Sequence, residues 1–221
     1  LINEIQKLAK DEKFKCIYGV PNRNSHHAFV SRGFSEIGKL KIYGKPFKIS
    51  KYFGNQSILK PLDYLIKKEK DQTKLEPFNE EFDLSYDSLL NKKIINDKII
   101  HSKNKDFLNW RYKQHPTREY QTFRYTEKNE LLAYIILRKT VFGNKQVAVI
   151  LDFVIHPKIV EHKKIVKFIF SVLNNYKEDC IAVISTVNTG CREYKILKNV
   201  GFMRVPKIFK PEPFYFITSI L

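Results

Sequence analysis

The feature that most constrains the fold is a nearly continuous apolar run, QVAVILDFVI, at residues 146–155. It has the length of a β-strand, and it lacks the alternation of apolar and polar residues that marks a strand with one solvated face. We therefore expect it to be buried on both faces. Pro157 ends the run, and an apolar stripe at helical spacing follows at residues 158–177. A doubly buried strand followed by an amphipathic helix predicts a layered α/β fold.

Further elements surround this strand. A short helix is predicted at residues 106–113, strands at 120–126 and 131–138, a strand at 181–186, a helix at 189–199 and strands at 202–205 and 214–220. A meander followed by alternating helices and strands predicts a mixed central sheet flanked by helices. Neither GxGxxG nor GxxxxGK[ST] occurs, which argues against a Rossmann unit and a P-loop protein.

The charge of the chain indicates which class of ligand it binds. It has 40 basic and 23 acidic residues, a net charge of +17, and lysine outnumbers arginine about four to one. Sequence-specific readers of nucleic acids favour arginine, whose planar fork matches phosphate and guanine edges. We therefore expect an acidic small molecule, such as a phosphorylated cofactor, and regard nucleic acid as the weaker hypothesis.

The cysteine and histidine patterns argue against a disulfide framework and a metal site. The three cysteines are odd in number and show no CxxC spacing, which favours reduced thiols and a cytoplasmic location. The adjacent pair His26-His27 lacks the spacing that would place both rings on one helix face, so no metal is predicted. No apolar run approaches the ~18–20 residues that span a bilayer, and no membrane partner is expected.

The sequence also contains an internal repeat. Residues 14–43 show a strand, a loop with asparagine, a helix, Gly-Phe and a strand, and residues 181–220 show the same order. A long helix precedes the second copy, and an amphipathic helix at 1–11 precedes the first. The only methionine is Met203, so Leu1 is not a translation start. These observations predict that the chain is truncated at its N-terminus and begins with the back half of a first unit.

These features resemble the GCN5-related N-acetyltransferase (GNAT) superfamily. The resemblance rests on the element order of residues 104–221, on Asn22 lying eleven residues before Gly33-Phe34, and on DFLNWRYKQHPTREY at 106–120, similar to the opening of GNAT-like units in bacterial polysaccharide-modifying proteins. It implies a GNAT-like mixed central sheet flanked by helices, present as one partial and one complete unit. The implied bounds are 1–85 for the partial unit with its linker and 86–221 for the complete one.

The resemblance implies transfer of an acyl group from acetyl-coenzyme A to an amino sugar or another small amine. The loop after the central strand, which in the family holds the cofactor's pyrophosphate, departs from this pattern because residues 158–165 contain no glycine and include Glu161. The family's general-acid tyrosine is replaced by Phe29 and Leu197. The second unit is therefore expected not to bind coenzyme A in the family's way, and to bind substrate only.

Two alternatives remain open. The chain could be a non-catalytic, ligand-binding GNAT-like module. It could also resemble the Fem-type aminoacyl transferases, which pair two GNAT-like units and use charged tRNA; the basic charge suits this hypothesis, whereas the scarcity of arginine and the lack of a helical-arm insertion oppose it. A homodimer is also left open.

The resemblance implies cofactor contacts in the loop at Asn22, Asn24 and Ser25, which in the family runs beside the pantetheine arm. The competing interpretation is structural. An asparagine after a proline turns the chain, and Asn24 or Ser25 can cap the following helix.

Four further residues are candidates for catalysis or substrate binding. His156 ends the central strand, where it would act as general base or simply hydrogen bond to backbone. Asp152 lies within the apolar run, so it is either paired with an arginine such as Arg111 or Arg138, which we favour, or lines a cleft. Arg111 could anchor an anion. Tyr194 lies near a helix start beside Cys191, and this cysteine is expected to be inert.

Overall fold

The computed structural model describes residues 1–47, 73–94, 103–142, 144–157, 161–205 and 214–220. The helices are α1 (Ile2–Asp11), α2 (Arg23–Val30), α3 (Leu84–Ile94), α4 (Lys105–Leu108), which continues into a π-helical turn (Asn109–Lys113), α5 (His162–Asn174) and α6 (Arg192–Val200). The strands are β1 (Cys16–Gly19), β2 (Ser35–Leu40), β3 (Ile42–Pro46), β4 (Gln121–Glu127), β5 (Glu130–Phe142), β6 (Lys145–Ile155), β7 (Ala182–Thr186), β8 (Met203–Arg204) and β9 (Phe214–Ile220). Within the described segments no helix is long and apolar enough to cross a membrane.

The chain divides into two compact units. The smaller unit comprises Leu1–Ile42, Thr186–Asn188 and Arg204–Leu221, and the larger unit comprises Tyr43–Ser185 and Thr189–Met203. Both units are therefore discontinuous along the sequence. The bounds 1–85 and 86–221 were predicted for the two repeat units, not for compact units of the fold, and they remain a prediction.

The larger unit is built on a six-stranded mixed sheet with the order β4-β5-β6-β7-β3-β8. β5 pairs antiparallel with β4 and with β6, whereas β6 pairs parallel with β7. Seven consecutive residues of β5, from Leu131 to Leu137, are buried, and helix α5 buries an apolar stripe that includes Ile165 and Ile169. The predicted mixed α/β fold is confirmed.

The smaller unit contains a three-stranded sheet with the order β1-β9-β2. β9 is its central strand and pairs antiparallel with both neighbours, for example Ile17 with Ser219 and Leu40 with Phe214. Helix α2 connects the two outer strands. The last strand of the chain therefore completes a sheet whose other two strands lie within the first forty residues.

The two sheets share one pattern of connections. In each, a strand, a helix and a second strand follow one another along the chain: β1, α2 and β2 in one, and β7, α6 and β8 in the other. A further strand lies between the two strands of each pair, β9 between β1 and β2, and β3 between β7 and β8. Each inserted strand comes directly after the other pair in the sequence. The internal repeat inferred from the sequence remains a prediction.

Both Gly-Phe pairs end their helices in the same way. Gly33 and Gly201 adopt positive φ angles of 84° and 105°, which favour glycine. The amide of Phe34 donates to the carbonyl of Phe29, and that of Phe202 to the carbonyl of Leu197. These are the five-residue-back bonds of a Schellman motif, and both phenylalanines are buried.

Two predicted elements differ from the structure. The strand predicted at the end of residues 14–43 is two strands that belong to different sheets, β2 and β3, separated only at Lys41. No glycine or proline at that point signals the change. The helix predicted at 158–177 is shorter, His162–Asn174.

We predict that Gly33→Ala lowers the free energy of unfolding of the smaller unit by about 1 kcal/mol, because an alanine at φ 84° is strained. Gly38→Ala is the matched control. A Cβ at Gly38 would meet nothing within 4 Å and would sit at an ordinary φ, so this change should not destabilise. Urea denaturation followed by circular dichroism compares the two. Equal stabilities of the two variants would contradict the strain argument.

Candidate functional site

The candidate site lies at the end of β6, where the strand carries a β-bulge. Asp152 pairs with Ile136 and Ile150 pairs with Leu137, so Leu151 is an extra residue on β6. The last pair that joins β6 to β7 is Ile150 with Ser185. A bulge re-aims the residues that follow it and is frequent beside functional sites. The residues after Leu151 therefore lack β7 as a neighbour in the ladder and can bind other groups.

A buried carboxylate from helix α6 is bound to this free end. Glu193 is 4% exposed, and its Oε1 accepts a hydrogen bond of 3.3 Å from the amide of Ile155. The same oxygen lies 2.6 Å from Nζ of Lys93 on α3. A buried carboxylate requires such partners, because the loss of hydration costs several kcal/mol per ion in typical cases. The end of β6 is thus linked through one side chain to two helices.

A second side chain from the same helical turn fixes the residues just beyond β6. One terminal nitrogen of the Arg192 guanidinium donates to the carbonyls of His156, at 2.6 Å, and Pro157, at 2.8 Å. The amide of His156 donates to the carbonyl of Leu132 at 2.8 Å. His156 is 4% exposed. Its role as a general base remains a prediction.

A second buried carboxylate follows the bulge directly. Asp152 binds Nζ of Lys103 at 2.8 Å, and its side chain is 5% exposed. The predicted ion pair is therefore present, but its partner is a lysine rather than an arginine. Arg111 is exposed on the π-helical turn, and Arg138 lies on β5 opposite Val149 rather than opposite Asp152.

Phenol groups surround Asp152. Burial, and then the negative charge of Asp152, raise the pKa of Tyr134 and of Tyr112 above the usual value. Tyr134 and Tyr86 are buried, and among the described residues the hydroxyl group of Tyr86 has no hydrogen-bond partner. The rings of these two tyrosines lie 5.2 Å apart. The region thus combines a carboxylate, a bound ammonium and protonated phenols within an aromatic cluster.

The loop at Asn22 has the geometry of a helix cap. Oδ1 of Asn22 accepts hydrogen bonds of 3.0 Å from the amide and from the hydroxyl of Ser25. Asn22 is therefore the N-cap of α2, where the sequence had suggested Asn24 or Ser25. Asn24 is exposed in the first turn of the helix. The proposed cofactor contacts of these three residues remain a prediction.

The last candidate, Tyr194, packs against another aromatic ring of the larger unit. Its ring lies 5.0 Å from that of Tyr43 in an edge-to-face arrangement. Its amide donates to Sγ of Cys191, the N-cap of α6. Burial raises the pKa of the Cys191 thiol, which disfavours the nucleophilic thiolate. A substrate-binding role for Tyr194 remains a prediction.

The sequence reasoning missed the four residues that define the site: Lys93, Lys103, Leu151 and Glu193. Of these four, Glu193 could have been identified from the sequence. It lies on the buried stripe of α6 with residues 196, 197 and 200, the spacing i, i+3, i+4 and i+7 at which apolar residues are expected. A charge on that stripe indicates a buried ion pair or a site. The parts of the chain that the structure describes contain no group of three potential metal ligands.

We predict that Asn22→Ala lowers the free energy of unfolding by about 1 kcal/mol, because the cap of α2 is lost. Asn24→Ala, two residues away on the same helix, should change it by less than about 0.5 kcal/mol. Urea denaturation measures both. A stability loss that is the same in the two variants would show that Asn22 does not act as a cap.

We also predict that iodoacetamide at neutral pH modifies Cys16 well before Cys191 or Cys180. Cys16 is exposed, whereas Cys180 is buried and Cys191 is half-buried with a raised pKa. Mass spectrometry of peptides from a labelling time course gives the three rates, with the denatured chain as the control in which all thiols react alike. Labelling of Cys191 as fast as that of Cys16 would contradict the prediction.

The comparisons with known proteins identify the fold. No family model and no curated protein matches the chain. Solved structures do match. A GCN5-related N-acetyltransferase from Anabaena variabilis has a TM-score of 0.62 at 11% identity, over 100% of this chain and 49% of that one. A conserved protein of unknown function from Enterococcus faecalis, described as a probable N-acyltransferase, has a TM-score of 0.53 at 10% identity, over 99% of this chain and 48% of that one.

A functionally unknown conserved protein from Staphylococcus epidermidis has a TM-score of 0.52 at 10% identity, over 99% of this chain and 78% of that one. The chain spans about half the length of the Anabaena and Enterococcus proteins. Identities this low establish the fold alone. The fold is that of the GCN5-related N-acetyltransferases, as the sequence resemblance implied.

Proposed function

We propose that the chain is part of an acyl-coenzyme A-dependent N-acyltransferase whose larger unit binds the acceptor amine rather than the acyl donor. The amine would be an amino sugar or another small amine. The observation that carries this proposal is the hydrogen bond between the buried Glu193 carboxylate and the amide of Ile155. The cytoplasm is the proposed location, because the three cysteines are odd in number and show no CxxC spacing, which favours reduced thiols.

The larger unit does not fit an acyl donor bound in the manner of the family. In the family's arrangement, an amide of the central strand would have to donate a hydrogen bond to the oxygen of the thioester carbonyl, at the point where the two middle strands diverge. Here that amide is already bound by Glu193. A carboxylate fixed at this point would also repel the negative charge that develops on such an oxygen. The donor would therefore bind elsewhere.

The start of helix α5 supports the same conclusion. A helix N-terminus favours anions because its free amide groups and its dipole point towards them. The N-cap of α5 is Glu161, whose side chain is exposed and forms no capping hydrogen bond. Its negative charge would oppose a pyrophosphate at this position, and residues 158–165 contain no glycine to let one approach the backbone.

Asp152 is suited to hold an amine. It already binds a primary ammonium group, that of Lys103, whose side chain is only 22% exposed. Charge-assisted hydrogen bonds of this kind are stronger than neutral ones. The neighbouring tyrosine rings add a cation-binding surface. An acceptor ammonium could replace Lys103, since the lysine side chain is long enough to turn towards solvent.

Calorimetric titration tests the proposal. The wild-type chain should show no saturable binding of acetyl-coenzyme A below about 1 mM, and it should bind glucosamine, used as the probe amine. Asp152→Asn should weaken glucosamine binding about tenfold, because the charge of the carboxylate is lost. Asp106→Asn removes an equal charge from an exposed side chain and should leave binding unchanged.

Two results would contradict the proposal. One is micromolar binding of acetyl-coenzyme A by the wild type that Glu161→Lys changes little. The other is the same affinity for glucosamine in Asp152→Asn and in the wild type. Thermal melting of each variant distinguishes a lost site from a lost fold.

A further inference from the structure

A second possible site in the larger unit is a cleft of about 530 Å³ between residues 117–121 and the end of β5. Small-molecule sites in proteins typically enclose about 300–1,000 Å³. Its lining includes Arg118, Arg138 and Lys139, together with polar groups from Thr117, Gln121 and Thr140. The composition is therefore basic and hydrogen bonding rather than apolar.

The cleft arises from a difference in strand length. β4 begins at Gln121, which pairs with Leu137 of β5. β5 continues for five residues to Phe142, and over this stretch it pairs with β6 only. The residues that lead into β4 therefore lie beside an unpaired edge of β5. This edge exposes Arg138 and Thr140 to the cleft.

The basic side chains of the cleft differ in whether they form ion pairs. Lys139 forms an ion pair with Asp179, and Glu119 is the one acidic residue in the lining. Within the described residues, Arg118 and Arg138 form no ion pair. Nε of Arg138 is buried and has no hydrogen-bond partner among them. A buried guanidinium N–H without an acceptor is costly, so an acceptor supplied by a ligand would stabilise this arrangement.

The cleft is separate from the end of β6 discussed above. Arg138 pairs with Val149, whereas Ala133 pairs with Ile155. Five residues along a strand at ~3.4 Å each place the two positions about 17 Å apart. A ligand in the cleft would therefore leave Glu193 and the amide of Ile155 untouched. Asp152 is nearer, because its partner Ile136 lies two residues from Arg138 on β5, but Asp152 does not line the cleft. Oxyanion binding in the cleft therefore does not depend on the proposed function.

We propose that this cleft binds the oxyanion group, phosphate or carboxylate, of a small polar molecule, with Arg138 and Arg118 as its principal ligands. The planar guanidinium group matches the two oxygens of either anion through parallel hydrogen bonds. The hydroxyl groups of Thr117 and Thr140 and the amide of Gln121 line the remaining wall and donate further hydrogen bonds.

Isothermal titration of the 221-residue chain with inorganic phosphate and, separately, with succinate tests the proposal and distinguishes the two anions. At least one of them should bind saturably. Arg118→Gln, at an exposed position, and Arg138→Gln should each weaken that binding about tenfold or more. Arg138→Lys keeps the charge but loses the planar guanidinium group. Its affinity for the anion should lie between that of Arg138→Gln and that of the wild type.

Arg23→Gln is the matched control, because it removes the same exposed group from the smaller unit. It should bind like the wild type. Thermal melting confirms that each variant is folded, and Arg118→Gln decides the outcome should Arg138→Gln unfold. The proposal is overturned by an absence of saturable binding for both anions, by equal weakening in Arg23→Gln, or by unchanged binding in Arg118→Gln.

Discussion

The larger unit depends on how β6 is paired along its length. The strand pairs with β5 from Lys145 to Ile155, but with β7 only from Val147 to Ile150. The bulge at Leu151 coincides with the end of the second ladder, and it leaves Leu151 itself 39% exposed. Backbone groups of a buried strand must find partners, because an unpaired buried amide costs about as much as a lost hydrogen bond. The groups that bind the free end of β6 supply these hydrogen-bond partners.

In this protein, side chains of α6 supply the hydrogen-bond partners for the end of β6. Glu193 accepts from the amide of Ile155, and Arg192 donates to the carbonyls of His156 and Pro157. The two residues are adjacent in sequence and of opposite charge, so one helical turn supplies both an acceptor and a donor. A strand end that could receive a ligand is thereby completed by the protein itself. A GNAT-like fold therefore does not by itself imply that this strand end binds a thioester.

The sequence predicted the class of fold because the fold depends on local patterns. The apolar run at 146–155, the stripe of α5 and the two Gly-Phe helix ends each lie within a single segment. The site depends on residues far apart. Lys103 meets Asp152 across 49 positions, and Lys93 meets Glu193 across 100, so spacing carries no signal for either pair. The bulge was equally hidden, because it depends on the register of β5 as well as on the sequence of β6.

The high lysine content has a structural use that composition alone did not reveal. Buried carboxylates at the end of β6 require cations, and lysines from α3 and from the segment before α4 supply them. A lysine reaches a buried carboxylate with its ammonium group while its aliphatic stem covers apolar surface. The two arginines of the basic cleft differ, since neither is bound to an acidic residue among those described. The net charge of +17 therefore includes lysines that are used internally, and only the uncommitted part of it can attract an anionic ligand.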